Sequence, residues 1–402
     1  MCKIQLMVPA LATIQFQKIV MLLALVGLFK EPKKLSSSTA VLRTSHGKAM
    51  LFLMVWMLLS VPFSVWPGKS FGFITESAWK SILGLVMMIA YGSSEASLEK
   101  IIWAMLGAAA FLSGMYILFP QSSSMAILLE EAYDRNDLGF LFVLAVSFAY
   151  WKSRQHGGIR KIVLQLLCAL LIGGIVATQS RGAFLGLLTV IVVSSLHARG
   201  SSVKKALLAV AILTVVLTAV LILGQGGYLD RVASITDTEN NYNYTSESGR
   251  IAVWQRGLTM MSENPFLGVG IAAYEAADGT MVRVGKWSAA HNSLVQIGAE
   301  LGVPGLLAYC IMVVGLLRRS SQIASSVGRS DDFYWYTGVA ISCSLFGYVV
   351  NGFFLSMAYS NLAFLIFGIA FAFINLASKK NPSETDNGSV FLSVRSRIAC
   401  QT

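Results

Sequence analysis

The sequence predicts an all-α polytopic integral membrane protein, and three observations carry that expectation. Of its 402 residues, 55% are hydrophobic and 13% charged, with a mean hydropathy of +0.66; a soluble domain carries about a quarter charged residues. Apolar runs long enough to cross roughly 30 Å of hydrocarbon recur along the chain. The basic residues behind the net charge of +11 gather in short segments between those runs. Backbone groups in lipid need partners within their own segment, so the runs read as helices rather than barrel strands.

In chain order the runs are 8–29, 49–66, 77–91, 101–119, 138–151, 162–178, 183–198, 203–223, 303–317, 333–353 and 359–377, about eleven expected transmembrane helices. The first is too long, and its start too weakly basic, for a cleaved signal peptide. Four regions follow. Residues 1–223 are an N-terminal bundle of about eight spans, and 224–302 a long loop with amphipathic and re-entrant helices. Residues 303–377 hold three further spans, and 378–402 a tail expected to be disordered.

Orientation follows from Lys and Arg. Twenty of the 31 basic residues fall on one side of the alternating runs and ten on the other, with Lys18 inside the first run. Five of those ten lie in the long loop, where charge guides topology poorly. The crowded side is expected to be cytoplasmic, which puts the N-terminus, the short turn at Arg181 and the long loop outside. Topology thus accounts for the positive charge, and nucleic acid is not implied as a partner. The five cysteines are scattered without metal-ligand spacing.

Three segments on the outer side carry chemistry. "TQSRGAFLGLL" (178–188) sets a lone Arg181 in a gap too short for an ordinary loop. In the long loop, "RIAVWQRGLTMMSENPFLGVG" places Ile251, Trp254, Leu258 and Met261 three or four apart, an apolar face suited to lying along a membrane surface. Ser248 is the expected N-cap, Asn264-Pro265 ends that helix, and Gly268 and Gly270 allow a tight turn. Arg250 lies one turn before Trp254, and Arg256 points elsewhere. In "AHNSLVQIGAELGVPGLLAYC", His291 and Asn292 open a helix that Gly302 and Pro304 interrupt; such a break at membrane depth is tolerated where it lines a protein cavity.

Each residue has a plain reading alone. Arg181 can be a snorkelling anchor, Arg250 a headgroup contact, His291 a capping histidine and Glu300 a hydrogen-bond partner for the broken helix. Gly182 and Gly186 suit helix packing. Tyr242, Tyr244, Trp254, Tyr274 and Trp287 suit either sugar stacking or interfacial anchoring. Two arginines and a histidine facing one compartment beside a broken helix suit an anionic, lipid-linked substrate. Asp230, Asp237, Glu275 and Asp278 are too dispersed to announce a metal.

The blocks "SRGAFLGLL", "GRIAVWQRGLTMMSENPFLGVGIAAY" and "AHNSLVQIGAELGVPGLLAY", in this order from Ser180 to about Tyr309, resemble the O-antigen ligase and polymerase superfamily of bacterial membrane glycosyltransferases. "YDRNDLGF" (133–140) resembles that family's Asn-containing segment more weakly. The resemblance implies a GT-C-like architecture in the bacterial inner membrane with a periplasmic active face. Its donor would be an undecaprenyl-pyrophosphate-linked glycan and its acceptor a glycolipid or glycan, with membrane lipids as surroundings and no metal or cofactor. Carried over by position, it makes Arg181, Arg250 and His291 catalytic, and Asn292, Trp254, Gly268, Gly270 and Glu300 substrate-binding. Members have twelve spans with the N-terminus inside; a missing first helix would reconcile that with eleven. The implied activity is ligation of the glycan to lipid A-core or another glycoconjugate. The alternative is polymerisation of two lipid-linked repeat units. A flippase or transporter predicts charges within spans and an internal repeat; the spans here are nearly charge-free and show no convincing repeat.

Overall fold

The computed structural model describes residues 16–31, 39–119, 134–198, 249–282, 287–327 and 331–380, with a few single positions between 202 and 246. Among the described residues the chain is helical and contains no strand. The helices are α1 (Phe16–Lys30), α2 (Ser45–Ser60), α3 (Pro67–Tyr91), α4 (Glu95–Leu118), α5 (Arg135–Gln155), α6 (Gly158–Thr178) and α7 (Arg181–His197). They continue as α8 (Arg250–Glu263), α9 (Tyr274–Met281), α10 (Ser293–Val327), α11 (Asp332–Gly352) and α12 (Asn361–Lys380). Six of them, α3, α4, α6, α10, α11 and α12, are long and apolar enough to span a membrane. Residues 19–30 of α1, together with α2 and α7, form shorter apolar helices.

Several expected boundaries move for local reasons. The run at 49–66 ends as a helix at Ser60, and the segment around Pro62 reverses the chain into α3. That helix starts at Pro67, ten residues before the expected 77, and carries one π turn over Ile74–Ala78. Proline suits the first helical turn, where its missing N–H is no loss. The expected span 203–223 and most of the loop from 224 to 248 lie outside the described residues.

The middle of the bundle is α5. Its residues 138–149 are buried on every side, as expected of a helix apolar all round. It packs against α4, α6, α7 and α11. Gly182 and Gly186 face Asn351 of α11, so the small residues of α7 are packing positions. The ion pairs mark two ends. Lys152–Glu99 at 2.7 Å and Lys380 with Asp331 and Glu95 lie at one end. The Ser180–Asn136 contact, Lys69–Glu275 at 3.0 Å and Arg256–Asp278 at 2.6 Å lie at the other.

The interrupted helix is a single element, α10, broken at Gly302, whose φ of 66° and ψ of −170° leave the helical region. A break at Gly302, with no N–H at Pro304, would strand the carbonyls of residues 299–301 and the Val303 N–H. Each finds a partner. Val269 N–H donates to Ala299 O at 2.8 Å and Gly270 N–H to Glu300 O at 3.0 Å. The Trp56 indole donates to Leu301 O at 3.0 Å, and Val303 N–H to Pro265 O at 2.8 Å. The 264–270 turn therefore plugs the broken helix. A Cβ on Gly302 would lie 2.4 Å from Phe266 O, and one on Gly268 2.4 Å from Glu300 C. Only glycine permits this backbone-to-backbone approach at positive φ.

Candidate active site

Four helices begin at the same end of the bundle: α5, α7, α8 and α10. Ser180 caps α7, its Oγ accepting from Ala183 N–H, while its hydroxyl donates to Asn136 Oδ1 at 2.7 Å. Asp134 caps α5 through Asn136 N–H at 2.7 Å. Asn292 caps α10, accepting from Leu294 N–H at 2.9 Å and Val295 N–H at 3.2 Å. At the start of α8 the capping position is Gly249, which offers no side-chain hydrogen bond. The expected cap, Ser248, lies outside the described residues and is replaced in that role by Gly249.

Arg181 and Arg250 are both exposed, each as the first residue of its helix. They lie close enough to repel. Desolvation, and then the Arg181 charge, hold the Arg250 guanidinium below the usual arginine range. His291 is exposed at the entry to α10. Burial of its ring and the charge of Arg250 push its imidazole below the ordinary histidine value, against opposing pulls from Asp134 and Glu275. Arg181, Arg250 and His291, separated by 69 and 41 positions in sequence, thus share one electrostatic environment.

The backbone here is strained. Among the described residues, three non-glycine residues have left-handed φ: Gln179 (53°), Ala272 (56°) and His291 (46°). Gln179 ends α6 two residues before Arg181, and Ala272 sits in the turn after Gly270. Such conformations cost of order 1–3 kcal/mol each and persist where surroundings impose them. At His291 the constraint is visible. Its N–H donates to Ser356 Oγ at 2.9 Å, and the Trp254 indole donates to Ala290 O, one residue earlier, at 2.9 Å. Ser293 donates to Leu355 O at 2.8 Å and accepts from Met357 N–H at 3.0 Å. The 353–360 connection between α11 and α12 therefore holds the histidine turn.

The expected site residues separate into two groups. Arg181, Arg250 and His291 come together at the rim. Asn292 is 4% exposed and serves as a helix cap, and Trp254 braces the histidine turn. Gly268, Gly270 and Glu300 are buried behind the rim. The two glycines meet the α10 break and Ser64 rather than solution. Glu300, 1% exposed, accepts from Tyr274 N–H at the start of α9 at 3.2 Å, rather than from the break in α10. The inward face of α8 is Val253, Gly257 and Met260. It is rotated from the expected stripe, because α8 packs onto α10, and it leaves Leu258 52% exposed. Arg256 indeed points elsewhere, to the fully buried Asp278. Sequence reading missed Ser356, in a connection whose only mark is the polar Ser in "FFLSMAYS", and Asp134, which stands in the weakly matching "YDRNDLGF" block. Among the described residues, no three His, Cys, Asp or Glu side chains group as a metal site would require.

Clustered helix starts, neighbouring arginines and a strained histidine lie at the end of an apolar helical bundle whose long helices suit a multi-pass membrane protein. Residues 166–310 match the family model described as O-antigen ligase. That segment contains Arg181, Arg250 and His291, and over it the chain is similar to the O-antigen ligase family. No curated protein matches the chain.

Proposed function

We propose that the protein is an inner-membrane glycosyltransferase that moves a glycan from undecaprenyl pyrophosphate to an acceptor hydroxyl at the periplasmic face. The observation that carries this reading is the convergence of Arg181, Arg250 and His291 on clustered helix N-termini. Two guanidinium groups held close enough to repel gain stability from an anion between them, and arginine's planar fork matches phosphate oxygens while staying charged. Helix N-termini add positive potential. Cleaving the bond from anomeric carbon to phosphate builds negative charge on the departing pyrophosphate, where preorganised positive charge acts most. The pair supplies that charge without a metal.

His291 takes the proton from the acceptor hydroxyl as that oxygen attacks the anomeric carbon. A histidine pushed below its usual value is neutral at pH 7 and free to accept. Asn292 and Trp254 hold it in place. The matched family's description favours the ligase form, in which the acceptor is a lipid A-core sugar or another glycoconjugate, over the polymerase form.

Purified protein in lipid bilayers, given a lipid-pyrophosphate-linked glycan and no ion gradient, is expected to consume donor. Arg250→Ala should abolish transfer, and His291→Ala should lower it by about 10²–10⁴-fold. Full activity in His291→Ala beside a dead Arg250→Ala would remove the base role. Lipopolysaccharide from a deletion strain separates the two forms: full-length chains left on the carrier mean a ligase, single repeats a polymerase. Donor left intact without a gradient would favour a transporter.

A further inference from the structure

Around Glu275, whose charge acts on His291, lies a cluster that the transfer chemistry above does not use. Trp66, in the reversal between α2 and α3, and Trp287 meet edge to face with ring centroids 5.5 Å apart. They remain 43% and 51% exposed. Lys69 sits 5.9 Å over the Trp66 ring and pairs with Glu275 of α9 at 3.0 Å, both side chains partly open to solution. Trp287 rests on the bare backbone of α9, since a Cβ on Gly279 would lie 2.5 Å from its ring. Trp287 and His291 are four positions apart, so their Cα atoms are at most about 14 Å apart. Val65 N–H donates to Val269 O at 2.9 Å, which fixes the Trp66 reversal to the turn plugging α10.

We propose that Trp66 and Trp287 form the stacking floor of an acceptor-sugar subsite, with Lys69 and Glu275 binding the sugar's hydroxyls. The inference rests on the transfer reaction above and names where its acceptor is held. A sugar ring presents a weakly positive C–H face, which suits the negative face of an indole, and a rim of hydroxyls. An acyl chain would use the indoles but has nothing to offer a half-exposed ion pair. Edge-to-face packing leaves one indole face open.

The test measures equilibrium binding of a radiolabelled, lipid-free oligosaccharide cut from the host's own envelope glycolipid. The full-length protein is held in lipid nanodiscs, and no donor is present. Wild type should bind saturably. Trp66→Leu and Trp287→Leu should weaken binding about tenfold, and Trp287→Phe by no more than about threefold. Gly279→Ala, which displaces the Trp287 ring while leaving it present, should also weaken binding, with monodisperse elution confirming an intact fold. Arg250→Ala should bind like wild type while failing to transfer. Equal affinity for the leucine and phenylalanine variants would make the pair a membrane anchor and overturn the proposal, as would a wild type that transfers glycan but shows no dependence on either tryptophan. Binding by a wild type that never transfers would sink the reaction and leave the subsite standing.

Discussion

Arg256 and Arg250 are six residues apart on one helix, yet the structure gives them opposite tasks, and mutation should separate them. Arg256 Nε meets Asp278 Oδ1 at 2.6 Å, with Asp278 fully buried and the Arg256 side chain 17% exposed. Asp278 Oδ2 accepts from Ser288 N–H at 3.1 Å, so this pair ties α8 to α9 and to the segment leading into His291. At an effective dielectric of about 20, unit charges this close attract by roughly 6 kcal/mol, most of it offset by desolvation. Arg256→Ala would leave the Asp278 carboxylate buried without its cation, at a cost of about 3–5 kcal/mol. Arg256→Met with Asp278→Asn, which removes both charges at nearly constant volume, should recover much of that loss. The assay is thermal unfolding of purified protein in detergent, followed by intrinsic fluorescence and by protease resistance of the 264–291 region. Arg250→Ala, at an exposed helix start, should shift unfolding little while removing transfer. An Arg256→Ala protein as stable as wild type, or a double variant less stable than either single one, would refute the reasoning.

Other outcomes follow from the same geometry. Because burial and the Arg250 charge lower the His291 pKa, the base form persists below the ordinary histidine value. The acid limb of the transfer rate should therefore fall below about pH 6.5. In Arg250→Gln, residual activity should show that limb moved upward, and an unmoved limb would remove the electrostatic link. The same shift has a stability consequence, for the unfolded chain binds the His291 proton more readily than the folded one. Stability contributed by this group is lost as pH falls through the window between the unfolded and the lowered folded value, seen as unfolding at lower temperature. Ser356→Ala removes the acceptor of the His291 N–H and should cut the rate about tenfold at unchanged donor affinity, with Ser356→Thr restoring it. Gly302→Ala places a Cβ 2.4 Å from Phe266 O at positive φ and should abolish membrane accumulation of folded protein, measured by fluorescence-detected size exclusion.

Helicity, membrane residence and the order of the three site blocks were legible in the linear chain. Apolar runs and charge asymmetry act over contiguous residues, and lipid admits few alternatives to a helix. The break in α10 was also legible, because Gly302 and Pro304 act on their own backbone. The span ends were less so. The helix start at Pro67 and the reversal before it depend on Ser64 and Val65 meeting the 269–270 turn, some 200 residues away. Periodicity gave α8 an apolar face, yet its buried stripe is set by what α10 presents to it.

Sequence alone therefore determined the kind of molecule, a helical membrane protein with arginines and a histidine in particular turns, because hydropathy and backbone-breaking residues work locally. Tertiary structure decided which of the motif residues meet at the rim and which disappear beneath it. Gly268 and Gly270 meet the broken helix and Ser64, and the Glu300 carboxylate meets a buried turn. The closeness of Arg250 to Arg181, the turn at His291 held by Ser356, and the meeting of Trp66 with Trp287 all join segments distant in sequence. Only packing can bring such charges and rings together.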